Sequence, residues 1–230
     1  MTCIVTEMIK RKTLGIAAAT VISLYGFCQD KQPATSGTST SAWRDGHFQV
    51  DVPRVVGRSD VILQRPNSDR TEAMPLGNGR LGLGVWSEDG YTAQLNREDT
   101  WPHRLSPGQV VIPGLKKLVE ASDYSARLNL YNGEFEEQGG GITATTYVDE
   151  SVDVMVVEVK GVDANQPQAA ELKLWPGRNP IVTASDETGV LAETWRDTNE
   201  LGASGLTFGS LSALRIDARE VHVSPDGPFQ

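Results

Sequence analysis

Thr71-Glu72-Ala73-Met74-Pro75-Leu76-Gly77-Asn78-Gly79-Arg80-Leu81-Gly82-Leu83-Gly84-Val85-Trp86 runs through Ser87-Glu88-Asp89-Gly90 into Tyr91-Thr92-Ala93-Gln94-Leu95-Asn96-Arg97-Glu98-Asp99-Thr100-Trp101. The apolar runs Leu81–Trp86 and Tyr91–Leu95 read as two strands. Asp89-Gly90 between them tolerates the positive φ of a tight turn, so the unit is a hairpin. Gly77, Gly79, Gly82 and Gly84 remove side chains where the backbone must bend or approach a neighbour closely. Three of these glycines spell G-x-G-x-x-G. A dinucleotide loop, however, needs an apolar strand before it and a helix after it to meet the pyrophosphate. Here Glu72-Ala73-Met74-Pro75 precedes the glycines and a Gly-rich strand follows, which favours a glycine-kinked strand entering a sheet.

Outward from the hairpin the chain reads as further strands. Thr143–Val148 is β-branched and aromatic, Asp149-Glu150 is a turn, and Val152–Lys160 is rich in valine up to Gly161. Ala170–Trp175 alternates cleanly before Pro176-Gly177, and Ile181–Ala184, Val190–Trp195, Leu211–Ile216 and Glu220–Val223 complete the set. Only Pro113–Ala121 and Asp123–Leu130 carry leucines at helical spacing. They predict a small helical insertion near residues 114–132, with Ser122 or Asp123 as the N-cap of its second helix. Strands at this spacing without long helices predict an all-β fold: a large antiparallel two-sheet sandwich.

The chain has 230 residues and a formal net charge of −9. Residues 1–28 read as an export signal: Met8-Ile9-Lys10-Arg11-Lys12 is a compact positive region. The apolar run Leu14–Phe27 behind it is too short to span a bilayer comfortably, so no transmembrane span is expected. Three of the 21 basic and one of the 30 acidic residues lie in that leader, leaving 18 against 29 in the remainder. Such a body repels phosphate backbones, and no basic stripe with interleaved aromatics is present, which argues against nucleic acid as a partner. Residues 29–41 are a polar linker that cannot bury a core, and residues 42–230 form the domain. Export leaves the product periplasmic, extracellular or, if Cys28 is lipidated, anchored at a surface; Phe27 before Cys28 is larger than lipidation prefers. The two cysteines are Cys3 and Cys28, so the domain has no disulfide, thiolate metal site or cysteine nucleophile.

Chemistry-bearing residues are sparse. The adjacent pairs Glu98/Asp99, Glu136/Glu137 and Asp149/Glu150 cannot each flank a glycosidic bond, because neighbours on a strand point to opposite faces. Glu136/Glu137 and Asp149/Glu150 read as solvated loop charge. Asp149, Glu150 and Asp153 lack the spacing of a calcium loop. His47, His103 and His222 lack metal-ligand spacing, and no nucleophile elbow is present. No metal or cofactor is expected. Asp99 differs from the other acids because Asn96 and Trp101 flank it. An amide, a carboxylate and an indole at a hairpin end can hold a sugar hydroxyl and stack on its apolar face, or equally cap a turn and fill a core.

Glu72-Ala73-Met74-Pro75-Leu76-Gly77-Asn78-Gly79-Arg80-Leu81-Gly82, followed by Leu95-Asn96-Arg97-Glu98-Asp99-Thr100-Trp101, resembles the opening of glycoside hydrolase family 95, the 1,2-α-L-fucosidases and related α-L-galactosidases. Arg97 is an added residue relative to that family's pattern, and the leucine expected before Trp101 is missing. The resemblance implies a β-sandwich that packs on a helical barrel, and an inverting hydrolysis of terminal α-linked sugars without metal or organic cofactor. It implies that the catalytic groups lie in the barrel, which nothing in this chain matches. No catalytic residue is therefore assigned here. The expected role is an N-terminal scaffold, incomplete at Asp226–Gln230, whose Glu72, Asn78, Asn96, Asp99 and Trp101 contact a fucosylated or similar glycan. The alternative is a stand-alone, non-catalytic carbohydrate-binding sandwich, which needs exposed aromatics in a line; Tyr91, Trp101, Tyr131 and Tyr147 are its candidates.

Overall fold

The computed structural model describes residues 2–4, 42–88, 90–97, 105–163, 169–174, 177–184, 188–196, 198, 205–216 and 220–224. Its strands in chain order begin with β1 (Thr2–Ile4), β2 (Trp43–Arg44), β3 (His47–Phe48), β4 (Val61–Leu63), β5 (Met74–Gly77) and β6 (Leu81–Trp86). They continue with β7 (Tyr91–Arg97), β8 (Gly108–Ile112), β9 (Ser125–Asn129), β10 (Glu134–Gly139), β11 (Ile142–Val148) and β12 (Met155–Lys160). The last five are β13 (Ala169–Lys173), β14 (Ile181–Ala184), β15 (Thr188–Arg196), β16 (Thr207–Ile216) and β17 (Glu220–Ser224). Two short helices, α1 (Val52–Val56) and α2 (Lys116–Val119), interrupt them.

The fold is a predominantly antiparallel sandwich. A nine-stranded sheet has the order β14-β15-β16-β1-β12-β11-β10-β9-β4, and a six-stranded sheet has the order β17-β13-β8-β7-β6-β5. A separate two-stranded ribbon joins β2 and β3, where Trp43 and Phe48 meet edge to face at 4.9 Å. The core fills the space between the two large sheets. Strand alternation sends Val85, Ala93, Leu95, Val110 and Ile112 inward from one sheet and Phe135, Ala144, Met155 and Val157 from the other. At about 25 cal/mol per Å² of apolar surface, this layer is the main source of stability.

The hairpin read from Asp89-Gly90 is present: β6 and β7 pair with Val85 opposite Ala93, and Gly90 has φ +101°. A Cβ on Gly90 would lie 2.8 Å from the Ile112 carbonyl oxygen, so the turn needs glycine for conformation and for space.

The helical insertion is smaller than its leucine spacing predicts. Lys116–Val119 is helical after a 3-10 turn at Pro113–Leu115, but the expected second helix over Asp123–Leu130 is strand β9. β9 pairs with β10 and β4, which bury Ala126 and Leu128 at a period of two and outweigh the helical spacing. Asp123 caps no helix; its Oδ1 accepts from the Gly140 N–H at 2.9 Å. The strand predicted from Val152 begins only at Met155, because residues 149–153 form a loop with a bonding pattern of its own.

β17 pairs with β13 in parallel, Ala170 opposite Val221, the one parallel ladder among the described strands. Thr2–Ile4, inside the segment read as a leader, lies between β12 and β16, with Cys3 opposite both Val157 and Ile216. No helix among the described residues is long and apolar enough to cross a membrane.

Candidate functional site

The register of β5, β6 and β7 sets Gly77 opposite Gly82 and Gly82 opposite Asn96. Leu76, Leu81, Leu83 and Leu95 point to the core, so alternation turns these three residues to the outer face. Two adjacent glycines leave a shelf without side chains, and Asn96 rises at its side. The cleft over it has a volume of about 420 Å³ and is lined by Gly77, Gly79, Arg80, Leu81, Gly82, Asn96 and Arg97. That volume lies within the range of small-molecule sites. A Cβ on Gly77 would come within 2.7 Å of the Leu81 carbonyl oxygen, so the β5–β6 turn closes only with glycine there. One row further along the same face, Ala73 covers Gly84, which bounds the shelf on that side.

The Asn78-Gly79-Arg80 turn is a latch to the other sheet. Asn78 Oδ1 accepts from the N–H groups of Arg80 and Leu81 at 3.0 and 2.9 Å, fixing the turn while Gly79 supplies φ +89°. Asn78 Nδ2 donates to the carbonyls of Asp149 and Val152, at 2.9 and 3.0 Å. Arg80 Nη2 donates to the Ser151 carbonyl at 2.8 Å. Arg97, at the end of β7, pairs with Asp153 Oδ2. Arg80 Nε lies 3.1 Å from Asp153 Oδ1, a charge contact without hydrogen-bond alignment. One carboxylate therefore serves two guanidinium groups.

The predicted contact residues separate on this geometry. Asn96 is exposed on the shelf, and its Oδ1 accepts from Gln94 Nε2 at 3.2 Å. Asn78 uses both ends of its amide in the latch. Glu72 is engaged by Arg65 at 2.7 and 3.0 Å, and this hydrogen bond holds its carboxyl below the ordinary value. Asp99 and Trp101 lie outside the described residues, in the segment that directly continues β7.

In each of the two pairs of acids read as solvated charge one member behaves otherwise, while Glu150 is exposed as expected. Asp149 Oδ1 accepts from the Ser151 hydroxyl and N–H at 2.7 and 2.8 Å and from the Val152 N–H at 3.1 Å; the bonds from Ser151 lower its pKa first. It closes its own loop. Glu137 is buried between the sheets on β10, where alternation carries it inward beside Phe135. Tyr124 donates its hydroxyl to Glu137 Oε1 at 2.9 Å, and burial pushes the Glu137 carboxyl up to about 7. Tyr91 is buried too, its hydroxyl 2.9 Å from Thr146 Oγ1, so it offers no exposed sugar platform. Among the described residues, no three His, Cys, Asp or Glu side chains cluster to hold a metal.

A family profile described as a domain of unknown function, DUF5703, matches residues 62–201. That is more than half of the 230 residues. The chain belongs to the DUF5703 family. No curated protein matches the chain. The matched stretch contains the DUF5703 shelf, the latch loop at residues 149–153 and the buried Glu137.

Proposed function

We propose that this DUF5703 chain is the N-terminal scaffold domain of an exported glycoside hydrolase resembling the α-L-fucosidases, and that its shelf lends Asn96 to a sugar site completed elsewhere. The observation that carries this reading is the side-chain-free floor at Gly77 and Gly82 beside an exposed amide, immediately before the Asn96–Trp101 motif. A pyranose needs a flat surface and a group that can both donate to and accept from hydroxyls. A glycine pair next to an asparagine offers both. The latch supports the scaffold role: it ties the motif to the opposite sheet and so holds the shelf rigid. By the family resemblance, the full-length parent inverts the anomeric centre of terminal α-linked sugars by single displacement, with no catalytic residue in this piece.

The test is ligand-observed binding of methyl α-L-fucoside and fucosylated oligosaccharides to the 230-residue chain, with turnover assayed in parallel. A shelf lending one amide gives millimolar affinity, amide shifts confined to Gly77, Gly82 and Asn96, loss of binding in Asn96→Ala, and no hydrolysis. Micromolar binding would favour the stand-alone carbohydrate-binding module. Hydrolysis by this chain would overturn the scaffold reading.

A further inference from the structure

Beside Asn96 the outer face of the six-stranded sheet carries a buried amide. Val110 and Ile112 of β8 point to the core, so alternation turns Gln109 outward, where it lies opposite Gln94 of β7. Gln109 is 1% exposed, and neither its Nε2 nor its Oε1 has a hydrogen-bond partner among the described residues. An amide buried in this way has given up its hydration without a protein bond in exchange. Its neighbours narrow what could serve it. On the β13 side Lys173 stands opposite Gln109, but its ammonium is held by Glu171 at 2.7 Å. Thr92, two residues before Gln94 on the same face, donates its hydroxyl to the Glu88 carbonyl at 2.7 Å. On the β6 side Gln94 faces Gly84, which has no side chain. Gln94 is the neighbour whose amide can turn to Gln109, since directly opposed Cβ atoms on paired strands are about 5 Å apart. In the structure it turns the other way, and its Nε2 donates to Asn96 Oδ1 at 3.2 Å. The Gln94 amide thus has two places, one on Asn96 beside water and one on Gln109 under cover. The covered place offers two reciprocal bonds but costs Gln94 its own hydration, so the two stand near balance.

We infer that Gln109 is a positioning residue of the shelf: when a sugar hydroxyl takes Asn96, Gln94 turns to Gln109, and Asn96 presents its acceptor and its donor together. The inference rests on the reading of the shelf as a sugar contact and adds how Asn96 is made ready for one. A hydroxyl donates one bond and accepts others, so it uses both ends of an amide. While Gln94 holds Oδ1, Asn96 meets such a group with Nδ2 alone. Gln109 touches no ligand in this scheme and acts only through Gln94.

The 230-residue chain is titrated with methyl α-L-fucoside, reading the shelf backbone together with the side-chain NH2 resonances of Asn96, Gln94 and Gln109. The expected result is that the Gln94 and Gln109 side-chain resonances move along the same saturation curve as those of Asn96. Gln109→Leu removes the alternative partner and leaves an apolar side chain in a buried position, so the fold is kept or stabilised. Binding nonetheless weakens about fivefold, the worth of one hydrogen bond. In a Gln94→Ala background the same Gln109→Leu change leaves the affinity where it was. A purely structural role for Gln109 would weaken both backgrounds alike. Binding at Asn96 that leaves the Gln109 resonances in place, or equal effects of Gln109→Leu in the two backgrounds, would overturn the inference and leave the sugar reading standing. No shift at Gly77, Gly82 and Asn96 would overturn both.

Discussion

Residues 61–160 and residues 169–224 belong to the same two sheets but are built by different means. In the first block successive strands pair as they leave the turn: β5 with β6, β6 with β7, β7 with β8, then β9 through β12 in order. Their inward residues supply most of the buried core. The second block adds Ala170, Leu172, Leu174, Leu191 and Leu214 to it, while β14 is exposed along its length, and Ile181 and Leu211 are 74% and 64% exposed. Its β14, β15 and β16 also pair in succession, and long-range polar ties fasten this meander to one short segment. Arg178 pairs with the buried Glu193 and donates to the Ser106 carbonyl at 2.6 Å; Ser212 donates to the Pro107 carbonyl at 2.6 Å. Local pairing closes short loops at small entropic cost, whereas β13 and β17 of the second block pair only with distant segments, β13 with β8 and β17 with β13. The shelf sits in the first block, on the better-fastened part of the molecule.

The contrast is broken most directly by core truncation. Phe135 is fully buried between the sheets, and Phe135→Ala is expected to cost about 3–5 kcal/mol in denaturant unfolding. Leu211→Ala in the second block is expected to change stability by less than about 0.5 kcal/mol. A Leu211→Ala loss as large as that of Phe135→Ala would mean that the outer face of β16 is covered in solution, and the two blocks would no longer differ.

The second effect comes from the buried acid of the first block. Glu137 is raised from 4.5 to about 7 by burial. A raised acid is protonated in the folded chain while the unfolded chain has already released its proton, so stability is fully present below about pH 4.5 and is lost as pH climbs to about 7. The shift corresponds to about 3 kcal/mol at 1.36 kcal/mol per unit. Asp149 and Glu72 are lowered instead, and their contribution is lost only as pH falls through the acid range, below this window. Unfolding free energy measured from pH 5 to pH 8 should therefore decline, and Glu137→Gln should flatten it. A flat wild-type profile would show that Tyr124 and its surroundings stabilise the carboxylate.

The burial of Glu137 was hidden in the sequence, and the reason is instructive. Adjacent acids on a strand face opposite ways, so one of Glu136 and Glu137 had to point inward once the segment paired on both sides; nothing in the local pattern announced that pairing. The same long-range pairing turned the helical leucine spacing of residues 123–130 into β9. By contrast, the β6–β7 hairpin, the β13 alternation and the sandwich itself were legible, because turn chemistry and period-two burial are local properties. The shelf was half legible. Glycines announced a close approach and the local pairing of β5, β6 and β7 aligns Gly77, Gly82 and Asn96, but the latch that takes up Asn78 depends on residues about seventy positions away.

The latch gives the third effect. Asn78→Ala removes the Asx turn and both bonds to the 149–153 loop, an expected loss of about 2 kcal/mol. Asn78→Asp keeps the acceptor for Arg80 and Leu81 but loses both donations, and about half of that loss is expected. Equal losses would place all the stabilisation in the inter-sheet bonds and none in the turn.

The smallest effect tests the seam between the blocks. β1 joins β12 to β16 through only Thr2, Cys3 and Ile4, and those residues fall within the segment whose composition reads as an export leader. Export with cleavage would remove the bridge, so a chain starting at residue 29 serves as the comparison. Its overall stability should change by about 1 kcal/mol or less, the worth of a few backbone hydrogen bonds. Hydrogen exchange should nonetheless quicken at Val156–Glu158 and Arg215, the residues facing the vacated position, while the β5–β7 amides stay protected. Faster exchange spreading through β14–β16 would show that the second block depends on the bridge. Exchange confined to the seam would show that Arg178, Glu193 and Ser212, through Ser106 and Pro107, suffice to hold it. The second outcome is the one the geometry favours, since these contacts anchor β15 and β16 directly to the segment that follows β7, whereas β1 touches only one end of β16.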